Sequence, residues 1–139
     1  MSDFIIQNIP IAKIVAVDLT AQSAAISATT LYAVPVSGAG IYRVSFYAKI
    51  TTAASVSSVL GGTNGFQITY TDPTDSTNPT VTVADQLTNA LNANNTITAD
   101  CGSCVISAKA STNIQYAYDY TSAGTAMVYK LSIKLEFLG

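Results

Sequence analysis

Two cysteines three residues apart, in Cys101-Gly102-Ser103-Cys104, form the pair in this 139-residue chain whose type and spacing most suggest chemistry. A C-x-x-C pair can be a redox dithiol, half of a zinc site, or a small-ring disulfide. The redox role wants a helix N-terminus in a βαβ setting to lower the thiol pKa. Here the pair runs into residues 105–110, which read as a strand. A zinc site needs four ligands. With no histidine and no third cysteine, one chain cannot supply them from nitrogen and sulfur, although two subunits could. A local disulfide stays open, and the leading expectation is a turn at a strand entrance carrying two free thiols.

Other candidate groups are weaker. Asp72-Pro73-Thr74-Asp75, with Asn78 nearby, offers carboxylates and carbonyls to a calcium ion. The spacing is not that of an EF-hand and lacks its bidentate glutamate, and a Pro-Asp turn explains the same residues. There is no Gly-x-Ser-x-Gly, and Gly38, Gly40, Gly61 and Gly62 form neither a P-loop nor a dinucleotide fingerprint. Without histidine the usual general base is also missing. Tyr116, Tyr118 and Tyr120 could form a sugar-stacking platform, but inward-facing aromatics on a core strand are the commoner reason for that spacing. The expectation is a protein that is not an enzyme, with no cofactor and no metal.

The elements that would position these groups are strands. The chain holds 18 Thr, 13 Ile and 11 Val against one glutamate, Glu136, a balance that suits pleated, half-buried surfaces over exposed helices. From Gly40 to Thr51, Tyr42, Val44, Phe46, Ala48 and Ile50 alternate with Ile41, Arg43, Ser45, Tyr47 and Lys49. From Ala126 to Phe137, Met127, Tyr129, Leu131, Ile133, Leu135 and Phe137 alternate with Val128, Lys130, Ser132, Lys134 and Glu136. Period two with charges on one face predicts a strand with one side in the core and the other wet. The second run belongs inside a sheet, because at an edge its apolar face would invite aggregation. Shorter runs at residues 11–17, 30–34, 66–71, 80–84, 105–110 and 114–120 bring the expectation to about eight strands, joined by Gly- and Pro-rich turns. Residues 51–58 read as a long loop, and residues 85–93 as either a short helix or an irregular loop.

That pattern predicts an all-β, jelly-roll-like antiparallel β-sandwich. A single domain is expected over residues 11–139, large enough to bury roughly 68% of its unfolded surface. Residues 1–10 form either its first strand or an arm that packs on a neighbouring subunit. Phe4, Ile5, Ile6 and Ile9 are the interface candidates there, since an apolar terminus is usually tied down. One arginine and five lysines, scattered singly, do not suggest nucleic-acid binding. No basic signal region and no apolar run of bilayer length occur, so assembly in a cytoplasm without a membrane partner is expected.

Three groups of segments read together. They are Leu31-Tyr32-Ala33-Val34-Pro35 leading through Gly38 to Gly40-Ile41-Tyr42-Arg43-Val44-Ser45-Phe46-Tyr47; Gly65-Phe66-Gln67-Ile68-Thr69-Tyr70-Thr71-Asp72; and Ile114-Gln115-Tyr116-Ala117-Tyr118 followed by Tyr129-Lys130-Leu131-Ser132-Ile133-Lys134-Leu135-Glu136. In order and spacing, from Leu31 to the C-terminus, the chain resembles small jelly-roll virion proteins of tailed bacteriophages, of the kind that decorate or cement capsids. The resemblance implies a homo-oligomer, expected to be a trimer, on the capsid surface, with the major capsid protein as partner and no catalytic activity. Fibre and baseplate modules share similar strands, which leaves a receptor- or glycan-binding module as the alternative.

Overall fold

The computed structural model describes residues 13–84 and 95–139. Within them, ten strands run in chain order: β1 (Lys13–Gln22), β2 (Ile26–Ala33), β3 (Gly40–Thr52), β4 (Ser57–Leu60), β5 (Phe66–Thr69), β6 (Thr80–Ala84), β7 (Ala99–Ala108), β8 (Asn113–Tyr118), β9 (Tyr120–Ala123) and β10 (Val128–Phe137). The class is all-β and every pairing is antiparallel, as expected. One four-stranded sheet has the order β1-β10-β3-β7, a second the order β2-β8-β5-β6, and β4 pairs with β9 alone. The pairings β1–β10, β2–β8, β3–β7 and β5–β6 are nested, first strand with last and innermost with innermost.

The two long alternating segments behave as their periodicity dictates. Tyr42, Val44, Phe46, Ala48 and Ile50 on β3, and Tyr129, Leu131, Ile133 and Leu135 on β10, are buried. β10 lies between β1 and β3, so its apolar face is covered on both flanks. The facing sheet contributes Leu31, Phe66, Ile68, Ile114, Tyr116 and Tyr118. The layers are joined by rings: Phe46 stacks on Phe66 at 4.1 Å between centroids, and Tyr118 meets Phe46 at 5.9 Å and Tyr129 at 5.8 Å, both edge-on. These are the separations at which aromatic pairs add to plain area burial.

Three expectations need correction. Residues 51–58 are not one long loop: β3 continues through Thr52 and β4 begins at Ser57. Cys101-Gly102 is not a turn, because β7 runs through it from Ala99 to Ala108. Gly102 stands there because a Cβ would lie 3.2 Å from the Val83 carbonyl oxygen and 3.3 Å from the Phe46 ring, where β6 closes over β7. The strand total is also higher, because the small β4–β9 pair joins the eight strands of the two large sheets. The segment read as helix or loop, residues 85–93, lies outside the described residues, as do Phe4, Ile5, Ile6 and Ile9.

Candidate functional site

Side chains alternate across a strand, so residues i and i+3 of β7 project from opposite faces. Cys101 is exposed on the outer face, opposite Tyr47, while Cys104 points inward and is half-buried. Both thiols are free, and neither can meet the other across the strand. That removes the small-ring disulfide and the intrachain redox dithiol together. Burial also pushes the Cys104 thiol up to about 11, opposite to what a redox nucleophile requires. In the folded protein, iodoacetamide at mildly alkaline pH is expected to label Cys101 and leave Cys104 unmodified until denaturant is added. Peptide mass spectrometry showing equal labelling of both would contradict this placement.

The carboxylates at 72 and 75 serve their own loop. Asp72 Oδ1 accepts the Thr74 N–H at 2.7 Å, and Asp75 Oδ1 accepts the Thr77 N–H at 3.0 Å and its hydroxyl at 2.7 Å. Those bonds hold the Asp75 carboxyl below the ordinary carboxylate range. Thr71 Oγ1 donates to Asn78 Oδ1, and Lys109 Nζ donates to Ser76 Oγ. The loop is therefore an Asx-turn structure closed on itself. Among the described residues, no three Asp, Glu or Cys side chains converge as metal ligands.

The tyrosines divide. Tyr116 and Tyr118 are core residues, 5% and 1% exposed. Tyr118 donates from its hydroxyl to Asp100 Oδ2 at 2.8 Å, the one inward-facing carboxylate of β7. Burial raises the Asp100 carboxyl above the ordinary range, against the opposing pull of hydrogen bonds from Tyr118 and the Cys101 backbone. Tyr120 follows the step at Asp119 that separates β8 from β9, and it is half-buried.

That step builds one concavity. An open-sided cavity of about 480 Å³ is lined by Ala25, Val59, Gly62, Thr63, Asp119, Tyr120 and Thr121. Its walls come from β9, from β4 (where Val59 pairs with Thr121) and from the 61–65 turn. The turn is clamped to Asp119 three times: Gly61 N–H donates to its carbonyl at 2.9 Å, Asp119 N–H donates to the Gly65 carbonyl at 3.3 Å, and Asn64 N–H donates to Oδ2 at 2.9 Å. Gly62 sits at φ +45°, and a Cβ there would lie 2.9 Å from the Asp119 Cβ, so only glycine lets the turn approach this closely. The Tyr120 hydroxyl is anchored on the Met127 carbonyl at 2.7 Å.

A second concavity, about 180 Å³, is a shallow depression on the outer face of the β1-β10-β3-β7 sheet, lined by Ser45, Phe46, Tyr47, Ser132 and Lys134. Arg43, Lys49, Lys130 and Lys134 project from this face, beside Asp18 and Glu136. Arg43 and Glu136 form an ion pair at 3.4 Å. Lys49 and Lys130 stand directly opposite each other, an arrangement that costs stability, relieved in part by Lys130 Nζ over the Tyr47 ring at 5.7 Å. Exposed Ile41, Tyr47 and Val105 share the face.

Both concavities mix apolar and polar lining, an arrangement that suits binding. Sequence reading gave Asp119 no role, and it took the 61–65 glycines only as a turn. Their meeting depends on contacts between residues 55 apart. No protein-family model matches the chain, and no curated protein matches it.

Proposed function

We propose that this chain is a structural virion protein of the capsid-decoration type, a homotrimer that binds the major capsid protein and stabilises the capsid exterior. The observation that carries this reading is the nested pairing of eight strands in two four-stranded sheets, β1-β10-β3-β7 and β2-β8-β5-β6. We read that order as a jelly roll, an architecture that viral capsid domains use repeatedly. A cement protein binds broad protein surfaces and needs no reactive groups. The outer face carrying Ile41, Tyr47 and Val105 among four cations supports that role, because apolar and charged groups are interleaved on one sheet face. Copies bound at symmetric lattice positions gain avidity, so each contact can be weak.

Light scattering on the purified chain is expected to return three times the 14.4 kDa chain mass. A monomer would overturn the trimer. Co-sedimentation with capsids of the encoding virus is the functional test. Deletion of residues 2–10, which carry Phe4, Ile5, Ile6 and Ile9, is expected to abolish binding while the β-sheet circular-dichroism signal persists. Undiminished binding by the deletion variant would remove those residues from the interface, and failure of the intact chain to sediment with capsids would remove the capsid role.

A further inference from the structure

We propose that the cavity between the 61–65 turn and the Asp119 step is a binding site for a neutral pyranose sugar, independent of any capsid contact. Its volume, about 480 Å³, falls within the roughly 300–1,000 Å³ of small-molecule sites. The lining joins two kinds of surface that a sugar ring also joins. Val59 and Ala25 offer apolar wall for the C–H face of a pyranose. Thr63, Thr121 and Asp119 are the lining residues whose side-chain oxygens can partner the ring hydroxyls.

Asp119 is the recognition group. Its only side-chain hydrogen bond among the described residues uses Oδ2, on the Asn64 N–H, which leaves Oδ1 as an acceptor for a hydroxyl donor. Such charge-assisted bonds are about twice as strong as neutral ones. The carboxylate is also held in place before any ligand arrives. The three clamps to the 61–65 turn fix its backbone and one oxygen, and the Met127 carbonyl fixes Tyr120. A site ordered in advance does not lose that entropy on binding. No cation lines the cavity, so acidic sugars meet an uncompensated carboxylate and are rejected. The core tyrosines Tyr116 and Tyr118 take no part.

The test is an amide-resolved NMR titration of the intact, isotope-labelled chain with glucose, galactose, mannose and N-acetylglucosamine in turn, using sialic acid and glycerol as controls. At least one neutral sugar is expected to shift Gly62, Thr63, Asn64, Asp119 and Thr121 saturably, in the millimolar range typical of a single shallow sugar site. Asp119→Asn, which keeps an acceptor for the Asn64 N–H, is expected to weaken that affinity about tenfold or more. Ala25→Phe fills the cavity from an exposed position and is expected to abolish binding with unfolding temperature unchanged. The proposal is overturned if no neutral sugar gives saturable shifts at these residues, if glycerol or sialic acid reproduces them, or if Asp119→Asn leaves the affinity unaltered. A chain that fails to bind capsids yet shows these shifts would sink the decoration role and leave the sugar site standing.

Discussion

Replacing Phe66 with alanine is expected to bring the domain close to global unfolding. Phe66 is fully buried, stacked on Phe46 at 4.1 Å, with Tyr118 edge-on at 5.5 Å and Tyr116 at 6.4 Å. It is the ring through which the β5 side of one sheet grips β3 of the other. Truncation removes the transfer energy of the ring and leaves a gap bordered by three aromatics that are themselves held by their strands. The loss is expected to be about 3–5 kcal/mol, set against a total of about 5–15 kcal/mol for an ordinary domain. In thermal unfolding this corresponds to a fall of roughly 10–20 °C. Urea denaturation should show the midpoint moving with an unchanged slope. A loss below about 2 kcal/mol would mean that the sheets close over the gap, and that the ring ladder is not the main connection between layers. Phe66→Leu keeps most of the volume and should recover much of the loss.

The second large effect is expected at Tyr118. Tyr118→Phe keeps the buried ring and deletes the hydroxyl that donates to Asp100 Oδ2. A half-buried carboxylate then keeps the Cys101 backbone as its remaining hydrogen-bond partner. The expected cost near neutral pH is about 1–3 kcal/mol. Asp100→Asn should reduce that cost, and the double-mutant cycle measures the coupling directly. The pH dependence has a definite sign. Burial raises the folded Asp100 carboxyl above its unfolded value, so the folded state holds this proton more tightly. Stability from this group therefore falls as pH rises from the ordinary carboxylate range through the raised folded value, and is flat above it. Asp75, with its carboxyl lowered by Thr77, acts in the opposite sense, losing stability as pH falls. The difference between the parent chain and Asp100→Asn isolates the Asp100 contribution. A difference that does not change across the acidic range would contradict the raised carboxyl. In Tyr118→Phe the window should extend to higher pH, because a bond that lowers the carboxyl is gone.

Periodicity carried the fold reading where strands were long. β3 and β10 put their apolar residues inward and their charges outward, because a two-residue repeat fixes the face of every side chain once one is placed. It failed where a residue was chosen for a distant neighbour. Gly102 looks like a turn signal, yet it lies inside β7 because the Val83 carbonyl needs its missing Cβ. The C-x-x-C spacing suggested a cooperating pair, and strand geometry sends the two thiols to opposite faces. The tyrosine alternation was legible as core: Tyr116 and Tyr118 are buried, and Tyr120 packs half-buried against the same core. The break at Asp119 between β8 and β9 answers to the 61–65 turn, far away in sequence. Partner choice between strands was equally hidden, since no local pattern says that β1 belongs beside β10.

That last pairing has a consequence for biosynthesis. β10 separates β1 from β3, with Lys13 opposite Glu136 and Tyr42 opposite Phe137. While the ribosome is still making residues 128–137, β1 has no partner in its sheet and β3 has only β7, so each long strand keeps an edge open. This layer therefore cannot close until residues 128–137 have been made. Closure of loops this long places such topologies on the order of milliseconds to seconds, far slower than local hairpins. During that interval the nascent chain exposes the strand edges that sister copies could pair with. The yield of correctly folded protein should therefore depend on how fast β10 enters between β1 and β3 once it has been made.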